Sequence, residues 1–185
     1  MLKITTTYPK ATRVLTAYKK YVVQQSKSNL TKAGHKASGS LYGSIKGYVN
    51  RKFKRDIKGM FLGGTTMPSA SFEMLDYGKF VDEGVQGTNS NYVGNSSPNK
   101  FGKSGATSVP VGPIKQWLQR KGLDTKLAFV IARSIYQKGI KRSLFFTKPF
   151  EARYKPMMMA YHSAIADDIA NNVAMKLRRK LKKTK

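Results

Sequence analysis

The chain has no cysteine, two histidines and one tryptophan, and its nine acidic residues stand against 35 Lys and Arg. Without cysteine there are no disulfide staples, no thiolate metal sites and no cysteine nucleophile, a composition that fits a reducing compartment. Of the two histidines, His35 sits in a polar stretch; Asp167 lies five residues beyond His162, off the spacing that pairs side chains along a helix. A transition-metal site is therefore not expected, and no cofactor is implied. No stretch approaches the roughly 18 apolar residues that cross a bilayer. The first ten residues, MLKITTTYPK, lack the apolar run and small-residue cleavage site of a signal peptide. These absences predict a protein made and used inside a cell, with no membrane partner. A phosphate loop with its lysine and hydroxyl is missing, as is a Gly-x-Ser-x-Gly elbow, so no catalytic residue is expected.

What the chain has in excess is positive charge, +26 over 185 residues, unevenly spread. Thirteen basic residues precede the first acid, Asp56, and the last ten residues carry seven more with no acid. Such an excess repels itself in a folded state, and a neighbouring polyanion is the simplest reason to tolerate it. With 40% apolar residues the composition is that of a folded body and not of a disordered tail.

Periodicity predicts an α+β fold: a small antiparallel sheet flanked by helices, a long C-terminal helix and a long flexible loop. Ala11, Val14, Leu15, Tyr18, Tyr21 and Val22 recur at helical steps, predicting a helix over Pro9–Gln25, with residues 26–40 read as a loop. Ser38-Gly39-Ser40 offers cap chemistry to a short helix at 41–45. Strands are expected at 48–53, 57–63 and 70–74. Tyr77, Phe80 and Val81 mark a further helix at 76–83 that Gly84 stops. Residues 85–108, rich in Gly, Asn and Ser, are too long for an ordinary connection and read as a flexible arm. A short helix follows Pro110 and ends at Gly122; Asp124 is placed to cap the next, whose expected buried stripe is Leu127, Val130, Ile131, Ser134 and Ile135. The last helix is predicted from about Pro156 to Leu181. Its apolar residues Tyr161, Ile165, Ile169, Val173, Leu177 and Leu181 fall every four residues, so the stripe winds, and its second half is expected to project or to meet something else. The expected organisation is a domain over 1–155 followed by a basic-ended helix over 156–185.

Two sets of charged residues are candidates for contact. The basic set is Arg51, Lys52, Lys54 and Arg55 around Phe53, with Lys176, Arg178, Arg179, Lys180, Lys182 and Lys183. It suits a phosphate backbone, although the first group also suits an edge strand guarded against aggregation and the second a solvated helix end. No helix-turn-helix, finger or RNP pattern supports base readout. The acidic set, Glu73, Asp76, Asp82 and Glu83, falls within eleven positions. Paired carboxylates are able to bind Mg²⁺ or act as acid and base, but on so basic a chain they read better as an inter-subunit face for Lys and Arg.

Four segments, taken in order, carry a resemblance. They are Ser38 to Ile45; Tyr77-Gly78-Lys79-Phe80-Val81-Asp82-Glu83-Gly84; Val111 to Leu118 running through Lys121-Gly122-Leu123 and Ala128–Ile135 into Lys138-Gly139-Ile140; and Phe145-Phe146 with Pro149-Phe150 before a long helix. Together they resemble the neck, or head–tail joining, proteins of tailed bacteriophages, the family that includes lambda-type minor tail (tail completion) proteins. The resemblance implies a structural virion subunit without enzymatic activity, assembled in the host cytoplasm into a homo-oligomeric, six-fold ring at the neck. It implies DNA in the channel, with a head connector or adaptor and a tail-tube or tail-terminator protein as neighbours. The competing reading from the charge alone is a non-specific nucleic-acid-binding protein of nucleoid or ribosomal type.

Overall fold

The structure, a computed structural model, describes residues 7–33, 39–50, 53–55, 61–65, 67–89, 97–101 and 109–182, with 53–55 and 61–65 as backbone. The chain is α+β and mostly helical. In order it forms α1 (Pro9–Lys32), α2 (Ser40–Ser44), β1 (Lys46–Asn50), β2 (Phe53–Arg55), β3 (Phe61–Thr65), β4 (Ser69–Glu73), α3 (Tyr77–Glu83), β5 (Val85–Gln86), α4 (Val111–Arg120), α5 (Leu127–Lys138), β6 (Gly139–Ile140) and α6 (Thr147–Leu181). The strands pair antiparallel as β1 with β4, β2 with β3 and β5 with β6. In sequence the β2–β3 pair is nested inside β1–β4. Lys46 faces Glu73 and Asn50 faces Ser69 in regular register, whereas Phe53 faces Thr65 and Arg55 faces Phe61, a shift of register within β2–β3.

Contacts divide the chain into two units, each built from separated segments: residues 1–24, 46–73 and 149–185, and residues 25–45 and 74–148.

In the first unit, α1 buries Ala11, Leu15, Tyr18 and Val22, a line at three- and four-residue steps. Ala11 clusters with Ala164 and Ile165 of α6, and Tyr8, Val14 and Tyr161 pack around them. Tyr18, Phe72 and Phe150 meet edge to face in all three pairings, with ring centroids 6.0, 5.8 and 5.9 Å apart. The Tyr18 hydroxyl donates to the Phe150 carbonyl at 2.9 Å. Burial, helped by the nearby Tyr154, pushes the Tyr18 phenol up to about 12, and burial likewise raises that of Tyr161, whose hydroxyl donates to the Pro68 carbonyl. Gly47 lets β1 run against α1, since a Cβ there would come within 2.5 Å of the Lys19 side chain.

In the second unit the buried apolar residues are Leu30, Leu41, Ile45, Val85, Val109, Leu118, Ala128, Ala132 and Phe145. Gly84 and Gly139 end α3 and α5 at φ 77° and 78° and lead straight into β5 and β6. Each lies so close to the opposite strand that a Cβ would fall 2.5 Å from the Ile140 carbonyl or 2.3 Å from that of Val85. Only glycine suits both the dihedral and the space. Helix α4 closes with a Schellman motif: Leu123 N–H donates to Leu118 O at 2.9 Å and Gly122 N–H to Gln119 O at 3.0 Å, with Gly122 at φ 67°.

Several expectations require correction. Helix α1 runs on to Lys32, because Ser26 and Leu30 continue its buried line in four-residue steps through a stretch whose polar composition reads as loop. The turn before α2 is set by Gly39 at φ 73°, with no side-chain cap. Helix α6 begins at Thr147, so Pro156 lies inside it and Pro149 takes the first-turn place. On α5 the fully buried residues are Ala128 and Ala132, while Leu127 and Val130 are exposed and Ile131, Ser134 and Ile135 half-buried. Small alanine side chains permit the closest approach, and the bulky face is left outward. The described parts of the expected flexible arm are tethered. Gln86 N–H donates to Asn99 O at 2.8 Å, Ser97 Oγ to Gly84 O at 2.7 Å, and Phe101 lies against Tyr136. The remainder of that arm falls outside the described residues.

Candidate nucleic-acid and partner interface

A second-half stripe on α6 is predicted to lack cover, and its exposure rises steadily along the helix. Ile165 is 9% exposed, Ile169 42%, Val173 49%, Leu177 58% and Leu181 69%. Each four-residue step turns about 40° past a full revolution, so the four exposed aliphatics sweep across roughly a third of the helix circumference. Lys176, Arg178, Arg179, Lys180 and Lys182 are exposed on the same turns. The end of α6 is thus a basic amphipathic helix whose cations lie mostly outside the apolar arc.

The rest of the basic set is less fully placed. Lys54 and Arg55 lie on β2. Arg51, Lys52 and Lys183 fall outside the described residues.

The four acids do not form one exposed face. Asp82 is 4% exposed, and its carboxylate accepts from Phe146 N–H at 2.7 Å, from Thr147 N–H at 3.3 Å and from the Thr147 hydroxyl. It caps the start of α6, where free N–H groups and the positive end of the helix dipole favour an anion. Asp82 therefore drops out of the expected inter-subunit face, because its charge is spent inside the fold. Glu83 is half-buried and accepts from Asn99 Nδ2 at 3.1 Å. Glu73 and Asp76 are exposed.

Sequence reasoning missed a second buried acid of the same kind. Asp168, 2% exposed, accepts from Lys10 N–H at 3.2 Å and Ala11 N–H at 3.0 Å, capping α1 from α6. One turn on, Asn172 Nδ2 donates to Thr7 O at 2.7 Å and its Oδ1 accepts from Thr7 N–H at 3.4 Å. Asp167 beside it points outward and pairs with Lys10 Nζ at 2.7 Å, both side chains half-exposed. Asp124 accepts from Lys126 N–H at 2.9 Å in the turn before α5, but the residue at the cap position is Lys126, which makes no side-chain cap bond. The signal for Asp168 was spacing: Ala164, Ile165, Asp168 and Asn172 share one helix face, so polar residues interrupt an apolar line.

Apolar surface is also open on the second unit. Pro113, Ile114 and Trp117 of α4 face Ile131 and Ile135 of α5 across a groove of about 320 Å³. Exposed Leu127, one turn before Ile131, continues the α5 wall. Among the described residues no three His, Cys, Asp or Glu gather as a metal site requires, and no helix is long and apolar enough to cross a membrane. No family model, curated protein or solved structure matches the chain.

Proposed function

We propose that the chain is a structural virion protein of a tailed bacteriophage, a subunit of a homo-oligomeric ring at the neck that completes the head–tail interface around DNA. The four ordered segments that resemble neck proteins supply the class. The observation that carries it is the uncovered apolar line Ile169, Val173, Leu177 and Leu181 beside exposed cations. An apolar arc of this breadth is costly in water and marks a subunit that finds cover in an assembly. In this reading the function is geometric. Apolar faces join copies to each other and to neighbouring rings, while basic residues meet phosphate or acidic surfaces. Sedimentation and negative-stain electron microscopy of the purified chain should give closed rings, and immunogold labelling of virions should mark the head–tail junction. A chain that stays monomeric and lies away from that junction sinks the proposal.

The exposed cations of α6 favour a second reading, a non-specific nucleic-acid binder. That reading calls for tight DNA or RNA binding whose constant falls steeply and linearly in log salt, with no ring formed.

A further inference from the structure

We infer that the outward face of α3 on one copy docks into the α4–α5 groove of the next, a head-to-tail contact between copies. It rests on the homo-oligomeric part of the reading above. Helix α3 turns Gly78 and Asp82 inward. At about 100° per residue this leaves Tyr77, Phe80 and Asp76 on the opposite side. Tyr77 and Phe80 are each 44% exposed, Leu75 before them is exposed too, and Asp76 and Glu83 flank them, with Lys79 at the edge. The groove is the complement in shape and in sign. It is concave and apolar, and the exposed charges on α4, α5 and the turn between them are Lys115, Arg120, Lys121, Lys126, Arg133 and Lys138 against Asp124, whose carboxylate already accepts from Lys126 N–H; at about 100° per residue Arg120 and Lys138 lie nearest the groove side of their helices.

The sign of charge selects the occupant. Residues 176–185, with seven cations, would meet like charge around the groove, so the end of α6 is disfavoured there. The α3 face opposed to its own copy would bring two acid-flanked faces together, and the groove opposed to itself two basic ones. The pairing that matches both apolar shape and charge joins two different patches of the same chain. Such a heterologous contact closes into a ring when its rotation permits.

The single tryptophan, Trp117, lines the groove and is half-buried, so the chain carries its own reporter. Dilution of the full chain should shift Trp117 emission to the red in step with dissociation measured by sedimentation. Phe80→Ala should weaken association at least about tenfold, as loss of an aromatic anchor in a pocket does. Asp76→Lys should also weaken it, and Lys121→Glu copies mixed with Asp76→Lys copies should recover it in part. Because the chain has no cysteine, Phe80→Cys copies mixed with Ile131→Cys copies should give a disulfide-linked dimer, with neither variant linking alone. Unchanged melting of the monomer separates loss of contact from loss of fold. Assembly that proceeds with constant Trp117 emission and no cross-link overturns this contact and leaves the ring standing. A chain that is monomeric throughout overturns both. An emission change that survives Phe80→Ala and vanishes on removal of residues 169–185 overturns it in favour of α6 as the occupant.

Discussion

Asp167 and Asp168 are neighbours in sequence with opposite roles, and their contrast is a direct test of how burial sets the worth of a charge. Asp168 is sealed at the start of α1 with two backbone N–H donors, while Asp167 makes one half-exposed ion pair with Lys10. Asp168→Ala leaves buried donors without an acceptor and should lower unfolding free energy by about 2 to 3 kcal/mol. Asp82→Ala at the start of α6 should cost a similar amount for the same reason. Asp167→Ala should cost under about 1 kcal/mol, since an exposed pair is screened and entropically taxed. Urea unfolding of the three variants measures this; equal losses at 167 and 168 would contradict it.

At the scale of elements, the last fully buried residue of α6 is Asn172, and everything from Val173 to Lys182 is exposed. A chain lacking residues 175–185 should therefore melt within a few degrees of the full chain, while its affinity for a polyanion drops. A large loss of melting temperature would mean that these turns pack on the chain. The sequence foretold this end of α6 because the four-residue period is itself a geometric statement. It foretold Gly84, Gly122 and Gly139 as stops for an equally local reason, that a helix end needs a residue free to take positive φ. The length of α1 was hidden by Ser26, a buried serine whose hydroxyl has no hydrogen-bond partner among the described residues, which composition counts as a loop residue. The start of α6 was hidden by a cap supplied from Asp82, 65 residues earlier, which no local rule detects. The buried side of α5 was misread because a one-residue rotation decides between Leu127–Val130 and Ala128–Ala132, and neighbours choose between them. Asp82 was misread in the same way: sequence proximity gathered four carboxylates, and the fold turned this one inward.

For the whole molecule, charge of +26 is a load on the compact state. Self-repulsion among exposed cations is screened within about 10 Å at 0.1 M salt. Thermal melts should move upward as sodium chloride is raised from about 0.05 to 0.5 M. Phosphate or short DNA should give a larger rise at equal ionic strength, since they bind and do not merely screen. A melting temperature indifferent to salt would mean that cations are already neutralised by contacts within the fold.

The cap on α1 carries a consequence for how the chain reaches its fold. Lys10 and Ala11 receive their acceptor from a residue 158 and 157 positions later. Contacts of such separation are slow to close and cannot close at all until the ribosome has released the far partner. The second unit, drawn from residues 25–45 and 74–148, is complete in the nascent chain before Asp168 is made. Folding should run in two stages, with residues 25–45 and 74–148 gaining protease resistance before α1 and α6 join. Until then α1 waits with a bare amino end and an open apolar side, the state in which chaperones would meet it.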